Sequence, residues 1–292
     1  AKETRDERRE ARGERREARG DDVEPVLGGF RHEFRYATSA LFLMSSAYRR
    51  ISSAEQHALF KRIVQRSRPV SGQPVPVVVF DLDGTIMDNR PRTAVILQEL
   101  AAELHKEAHS AAEILAAAQA ESLAYLLSDT MRKLGIDHPE LVERAEVYWR
   151  ERFFSDGYLK HDVAVAGSVE LARACYDAGA TIVYFTGRDL PLMSLGSFQS
   201  LRDLGFPIGV VGTELVCKPD AKIPDEAFKR EEGPKISRIG KIIAAFDNEP
   251  GNCNAFLEMC PDADVVFVDT QHLPGAPPLA PRVHVVPDLA MR

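Results

Sequence analysis

Val77-Val78-Val79-Phe80 runs without a polar break into Asp81-Leu82-Asp83-Gly84-Thr85-Ile86-Met87-Asp88. Four successive β-branched or aromatic residues with no alternation read as a strand buried on both faces, as in a parallel sheet covered by helices. Two carboxylates one residue apart, at the end of such a strand, are costly unless a cation neutralises them or chemistry uses them. Gly84 permits a tight turn out of the strand, where a side chain would crowd the carboxylates.

Comparable apolar runs recur at 181–185, 208–211, 242–246 and 265–268, and 283–286 reads as a last edge strand. Helical patterns at 168–177, 195–204 and 252–258 lie between them. This alternation predicts an α/β fold with a doubly wound parallel sheet. One connection breaks the rhythm. Residues 93–104, 111–127 and 139–153 carry apolar side chains at three- and four-residue spacing with alanine filling, so the long segment after the first strand predicts an inserted helical subdomain. Ligands of open α/β sheets bind beyond the carboxyl ends of the strands, where this insertion would overhang them as a lid. The expected organisation is a charged low-complexity tail over 1–22, and an N-terminal helical extension and linker over 23–76. An α/β core is expected from 77–90 and 164–292, with a helical cap over 91–163.

Composition narrows the class. The chain has 292 residues, 45% of them hydrophobic, and a net charge of −7, which allows a sizeable core. Four cysteines are too few for a disulfide scaffold, and no apolar run reaches the ~20 residues of a membrane span. The charge is uneven. Residues 1–22 hold eight basic and eight acidic side chains in a near-repeat of ERREARG, which predicts a tail or solvated helix. Residues 23–70 are basic, and residues 71–292 carry 33 acidic against 21 basic groups, which argues against a nucleic-acid partner. Residues 36–48 are mostly apolar with basic flanks. A signal-peptide core is one reading; an amphipathic helix continued over 54–65 is preferred, because the run starts some 35 residues in and lacks a cleavage site. A cytoplasmic location is expected on that basis. Pro69, Gly72, Pro74 and Pro76 then read as a linker. Nothing in the sequence speaks to oligomeric state.

Polar groups also follow the other strands: Thr186-Gly187-Arg188-Asp189 after the second, and Asp247-Asn248-Glu249-Pro250 after the fourth. Phe80-Asp81-Leu82-Asp83-Gly84-Thr85 resembles the first motif of the haloacid dehalogenase (HAD) superfamily of phosphotransferases. Phe185-Thr186-Gly187-Arg188 is similar to its second motif, and Phe246-Asp247-Asn248-Glu249 to its fourth. They occur in the family's order and frame residues 77–269. The position of the insertion resembles that of the family's helical (type C1) caps.

The resemblance implies a Rossmann-like core and a Mg²⁺-dependent phosphatase acting on a small phosphorylated substrate. Asp81 would be the nucleophile, forming an aspartyl-phosphate, and Asp83 the acid and base. Asp81, the Asp83 backbone carbonyl and Asp247 would hold Mg²⁺, which prefers hard oxygen ligands. Thr186 would hydrogen-bond a phosphoryl oxygen, with Gly187 offering its backbone amide. The family's third motif is a lysine. Lys229 is preferred, because eighteen residues before Asp247 leave room for a helix and a strand; Lys218 and Lys235 are the other candidates. Many members place a second acid after the fourth-motif Asp, where this chain has Asn248, Gly251 and Asn252, so the helper of Asp247 is left open among Asn248, Glu249 and Asn252.

Asp88, Asn89 and Arg90 lead into the cap and are expected near the substrate, with Arg92 as a further anion-binding candidate. Arg188 is left outside the catalytic set, as a partner of Asp189 or a helix cap. Asp83 disfavours dehalogenation and phosphonate cleavage, since members with those activities lack it. Phosphomutase, polynucleotide 3′-phosphatase and a non-catalytic binding module are the alternatives. His105 and His109 have zinc-compatible spacing without an evident third ligand, and the cysteines read as core packing.

Overall fold

The computed structural model describes residues 48–292; the charged tail at 1–22, and the helix expected over 36–48 save its last residue, lie outside the described residues. Helix α1 (Ser53–Arg66) opens with a capping box in which Ser52 and Glu55 exchange hydrogen bonds. Strand β1 (Pro76–Phe80) follows and is buried at every position. After it come the two-residue strand β2 (Met87–Asp88) and helices α2 (Arg90–Leu104), α3 (His109–Ala116), α4 (Leu127–Lys133) and α5 (Pro139–Phe153). The chain returns through β3 (Val163–Ala164), which pairs antiparallel with β2.

The rest alternates strand and helix: α6 (Ser168–Ala178), β4 (Thr181–Asp189), α7 (Leu190–Leu204), β5 (Thr213–Lys218), α8 (Asp225–Glu232), β6 (Lys241–Asp247), α9 (Pro250–Met259), β7 (Asp264–Val268) and β8 (His284–Val286). Six strands form one sheet in the order β5-β4-β1-β6-β7-β8, and every pairing is parallel. From β1 the chain builds β4 and β5 on one side and β6 to β8 on the other, so the winding reverses at β1. Side chains alternate between two cores. Val78 and Phe80 pack with Leu59, Phe60 and Ile63 of α1 and Leu171 of α6, while Val77 and Val79 pack with Phe228 of α8 and Phe256 of α9. Helices on both faces explain why β1 has no polar alternation.

The helices between β2 and β3 enclose a third core of Leu97, Leu100, Leu104, Leu115, Met131 and Ile136. The insertion therefore has its own hydrophobic centre. No helix among the described residues is long and apolar enough to cross a membrane.

Two expected elements differ. The strand expected over 208–211 is a turn: Gly209 and Gly212 take φ of 72° and 84°, Val211 is 95% exposed, and the strand forms only at β5. The helix expected over 111–127 ends at Ala116, and a 3-10 turn at Ala120–Ser122 precedes α4. Here Gln98 Nε2 donates to the Ala118 carbonyl at 3.0 Å and Gln271 Nε2 to that of Leu123 at 2.6 Å. Tertiary hydrogen bonds override the local helical preference.

Candidate active site

The site grows from the end of β1. The Leu82 carbonyl accepts from the amides of Thr85, Ile86 and Met87 at 3.2, 3.1 and 2.9 Å, which folds the chain into a tight loop. Gly84 closes it at φ 76°, donating its N–H to the Met87 carbonyl at 2.8 Å. A Cβ there would lie 2.3 Å from Asn248 Nδ2. That close approach seats the loop against the end of β6: Thr85 Oγ1 lies 3.0 Å from Asp81 Oδ2 and 3.2 Å from Asn248 Oδ1, and Asn248 Nδ2 donates to the Gln271 carbonyl at 2.6 Å.

Asp81 and Asp247 end adjacent strands and meet on one ammonium. Lys229, in the second turn of α8, places Nζ 2.7 Å from Asp81 Oδ1 and 2.6 Å from Asp247 Oδ2. All three side chains are buried. The other oxygen of Asp247 accepts from the Glu249 amide at 2.9 Å and from Asn252 Nδ2 at 3.2 Å. One cation against two buried carboxylates leaves a surplus negative charge. Burial pushes the Asp81 carboxyl up to about 7, Lys229 opposes the shift, and the charge of Asp247 adds to it. Of the other lysine candidates, Lys218 pairs with Asp225 at 2.6 Å and Lys235 pairs with Glu232.

Asp83 is held differently. Arg188, at the end of β4, donates from Nε to Oδ2 at 2.7 Å and from Nη2 to Oδ1 at 2.8 Å. Arg92, in the first turn of α2, donates from Nη2 to Oδ1 at 2.8 Å, and Asn89 Nδ2 reaches the same oxygen at 3.2 Å. Burial pushes the Asp83 carboxyl up, but Arg188 and Arg92 outweigh it and hold the group well below the usual carboxylate range. Asp162 shares both arginines and neutralises the second positive charge.

Thr186 is buried at the end of β4, and its Oγ1 accepts from the Arg188 amide at 3.1 Å. Gly187 sits against the carboxylate of Asp225, which a Cβ would meet at 2.2 Å. Asp88 and Arg90 satisfy each other, with Arg90 Nε and Nη2 on the two Asp88 oxygens at 2.8 and 2.7 Å. Glu249 accepts from the Leu273 amide at 3.1 Å, and burial raises its carboxyl to about 7. His105 and His109 pack edge to face, and His109 pairs with Glu113.

Sequence reasoning sets Arg188 aside and does not reach Asp162. A TGR tripeptide after a buried strand is the available signal for Arg188. Asp162 carries none, because its partners lie 70 and 26 residues away along the chain.

The donor set suits Mg²⁺. Among the described residues no three His, Cys, Asp or Glu side chains converge on one point. The ion, however, is commonly held by one or two carboxylates, with remaining positions left to water and phosphate. Asp81 and Asp247 supply two carboxylates one positive charge short of neutrality, and the Asp83 carbonyl is the third oxygen expected beside them.

A sequence model of haloacid dehalogenase-like hydrolases matches residues 75–240, more than half of the chain. The chain belongs to this family. As a HAD-like hydrolase it is an enzyme, and its Rossmann-like core is the parallel sheet described above. The matched residues include Asp81, Asp83, Thr186 and Lys229, and end before Asp247. No curated protein matches the sequence. Among solved structures, one described as a phosphatase from Clostridium difficile is 14% identical, with a TM-score of 0.44 over 66% of this chain and 84% of that one. A class C acid phosphatase from Bacillus anthracis is 14% identical, with a TM-score of 0.38 over 69% of this chain and 66% of that one. A structure described as a β-phosphoglucomutase from Thermotoga maritima is 16% identical, with a TM-score of 0.41 over 69% of this chain and 88% of that one. Likeness at this level assigns no activity.

Proposed function

We propose that this HAD-like hydrolase is a Mg²⁺-dependent phosphatase of small phosphomonoesters, working through an aspartyl-phosphate. The observation that carries this reading is the convergence of Asp81 and Asp247 on Lys229 at the carboxyl ends of adjacent strands. A bound Mg²⁺ would offset the surplus negative charge and polarise the phosphoryl group.

The chain's own residues account for the rest. Asp81 attacks phosphorus in line, forming an O–P bond as the ester P–O bond breaks. Lys229 keeps its charge because both carboxylates face it, although burial opposes that charge. Its ammonium therefore stabilises the charge that develops on the phosphoryl oxygens. Thr186 offers a hydroxyl to one of those oxygens. Arg92 and Arg188 hold Asp83 ionised at rest, so it relays to the leaving oxygen the proton carried by the phosphomonoester monoanion, and then takes one from the water that cleaves the aspartyl-phosphate. The helical insertion serves as a cap, with the Leu123 carbonyl held by Gln271 in the core loop after β7.

Turnover of p-nitrophenyl phosphate with Mg²⁺ tests the reading. The wild-type chain is expected to release p-nitrophenolate, and Asp81→Asn to abolish release. Wild-type protein inert across pH and divalent metals, or an equally active Asp81→Asn, would exclude it.

A further inference from the structure

The insertion is joined to the core by two crossings, outward along β2 and back along β3, which pair as a short antiparallel ribbon. Four charged side chains meet beside it. Arg92 comes from the insertion, Asp162 from the residue just before β3, Arg188 from the core strand β4 and Asp83 from the loop after β1. Asp162 accepts from Arg92 Nε and Nη2, both at 2.8 Å, and from Arg188 Nη2 at 2.6 Å. The same Arg92 Nη2 and Arg188 Nη2 also reach Asp83 Oδ1, each at 2.8 Å. The side chains of Arg92, Arg188 and Asp162 are at most 1% exposed, while that of Asp83 keeps 30% of its surface open. Arg92 is further pinned by the Phe153 carbonyl at 2.9 Å and by the Phe153 ring, 4.1 Å from its guanidinium carbon.

An ion pair that merely joined the two ends of the insertion would need Arg92 and Asp162 alone. Here one oxygen, Asp162 Oδ2, receives both guanidiniums, and those same guanidiniums fix the carboxylate plane of Asp83. Neither arginine can turn without losing Asp162. The open edge of the set is Asp83, toward the reacting group.

We propose that Asp162 is a positioning residue for Asp83. Its carboxylate, delivered by the returning crossing, orients Arg92 and Arg188 and through them aims Asp83 at the phosphoryl group. Asp83 is thus aligned when the insertion is seated. The inference rests on the phosphatase reading. Asp83 then takes the proton of the phosphomonoester monoanion and hands it to the ester oxygen as that P–O bond breaks and the Asp81–phosphorus bond forms. A misaimed Asp83 costs most where the leaving oxygen needs that proton.

The test compares the wild-type chain with Asp162→Asn and with the charge-balanced Asp162→Asn/Arg92→Gln. It uses kcat/KM on ethyl phosphate, whose ethoxide must be protonated, and on p-nitrophenyl phosphate, whose phenolate need not be. This ratio reports steps up to formation of the aspartyl-phosphate. Both variants are expected to lose roughly 100-fold on ethyl phosphate and less than about threefold on p-nitrophenyl phosphate. Equal losses on the two esters, no loss on either, or unfolding of the charge-balanced variant by circular dichroism would each make the quartet purely structural and overturn the inference. A wild-type chain inert toward both esters overturns the phosphatase reading itself, and the inference with it.

Discussion

Lys229 Nζ lies 2.6 Å from Asp247 Oδ2, across 18 residues that include the rest of α8 and the whole of β6. The helix brings the ammonium up from one side of the sheet while the strand delivers the carboxylate to its edge, and Asp81 completes the contact at 2.7 Å. Because one cation serves two buried carboxylates, the charge balance is the site's distinguishing physical property.

Lys229→Gln leaves both carboxylates without that counter-charge. Turnover of p-nitrophenyl phosphate should fall by roughly 10²–10³-fold, the scale of losing one preorganised electrostatic donor. Metal-free stability should fall as well, by about 3–5 kcal/mol, because breaking a buried pair strands its partner. Steady-state kinetics and urea unfolding measure the two effects separately.

Mg²⁺ should raise the melting temperature of the wild-type chain, since a ligand that binds only the folded state adds about 2.7 kcal/mol at a hundred times its dissociation constant. Asp247→Asn removes one of the two carboxylates and should abolish most of that shift. A variant that keeps the full Mg²⁺ response would place the ion elsewhere.

Much of this centre was legible because its signals are local. An unbroken Val-Val-Val-Phe run ending in Asp81 and Asp83 is a strand with carboxylates at its tip, and the spacing from Lys229 to Asp247 matches one helix and one strand. The second charge set was less legible. Arg188 lies 105 residues from Asp83 and 26 from Asp162, and only the closing of the sheet and the neck brings them together. Leu123 falls in a stretch with good helix formers, so local preference pointed to a helix where a hydrogen bond from Gln271 of the core imposes a loop. The strand expected over 208–211 failed for a related reason: apolar content alone did not register that Gly209 and Gly212 take the left-handed backbone of a turn.

Gly84→Ala should destabilise the fold. The residue sits at φ 76°, where an L side chain costs roughly 1–2 kcal/mol. The new methyl would also press on Asn248 Nδ2, whose bond to the Gln271 carbonyl leaves it little room to move. A combined loss of about 2–4 kcal/mol is expected, readable as a melting temperature lowered by roughly 5–15 °C. An unchanged melting curve would mean that the loop tolerates a Cβ.

Asp264 fastens α1 to the sheet through Arg62 Nη2 at 2.7 Å and Arg66 Nη1 at 2.6 Å. Burial opposes its charge, but His284 Nε2, 3.7 Å away, and the two arginines hold its carboxyl well below the ordinary 3.8. A carboxyl lowered in the folded state adds stability that is present above that ordinary value and lost as pH falls through the folded one. The wild-type chain should therefore lose stability below about pH 4. Asp264→Asn should be less stable at neutral pH and lose less on acidification. Asp83 contributes in the same direction, so the difference between the two proteins isolates Asp264. Parallel pH curves would show that the pair adds nothing.

Gln271→Leu probes how the insertion is held over the site. Gln271, in the loop after β7, donates from Nε2 to the Leu123 carbonyl at 2.6 Å and so links the insertion to the core. Leucine removes the donor, a loss of about 0.5–1.5 kcal/mol for a neutral hydrogen bond. That bond belongs to the closed arrangement, so the open population should rise by roughly two- to tenfold. Cleavage by a protease tracks that population when reclosing outpaces cutting, so residues 117–126 should be cut correspondingly faster, with the core helices equally resistant in both proteins. Equal cutting rates would assign the closure to the neck formed by β2 and β3, and leave Gln271 no part in it.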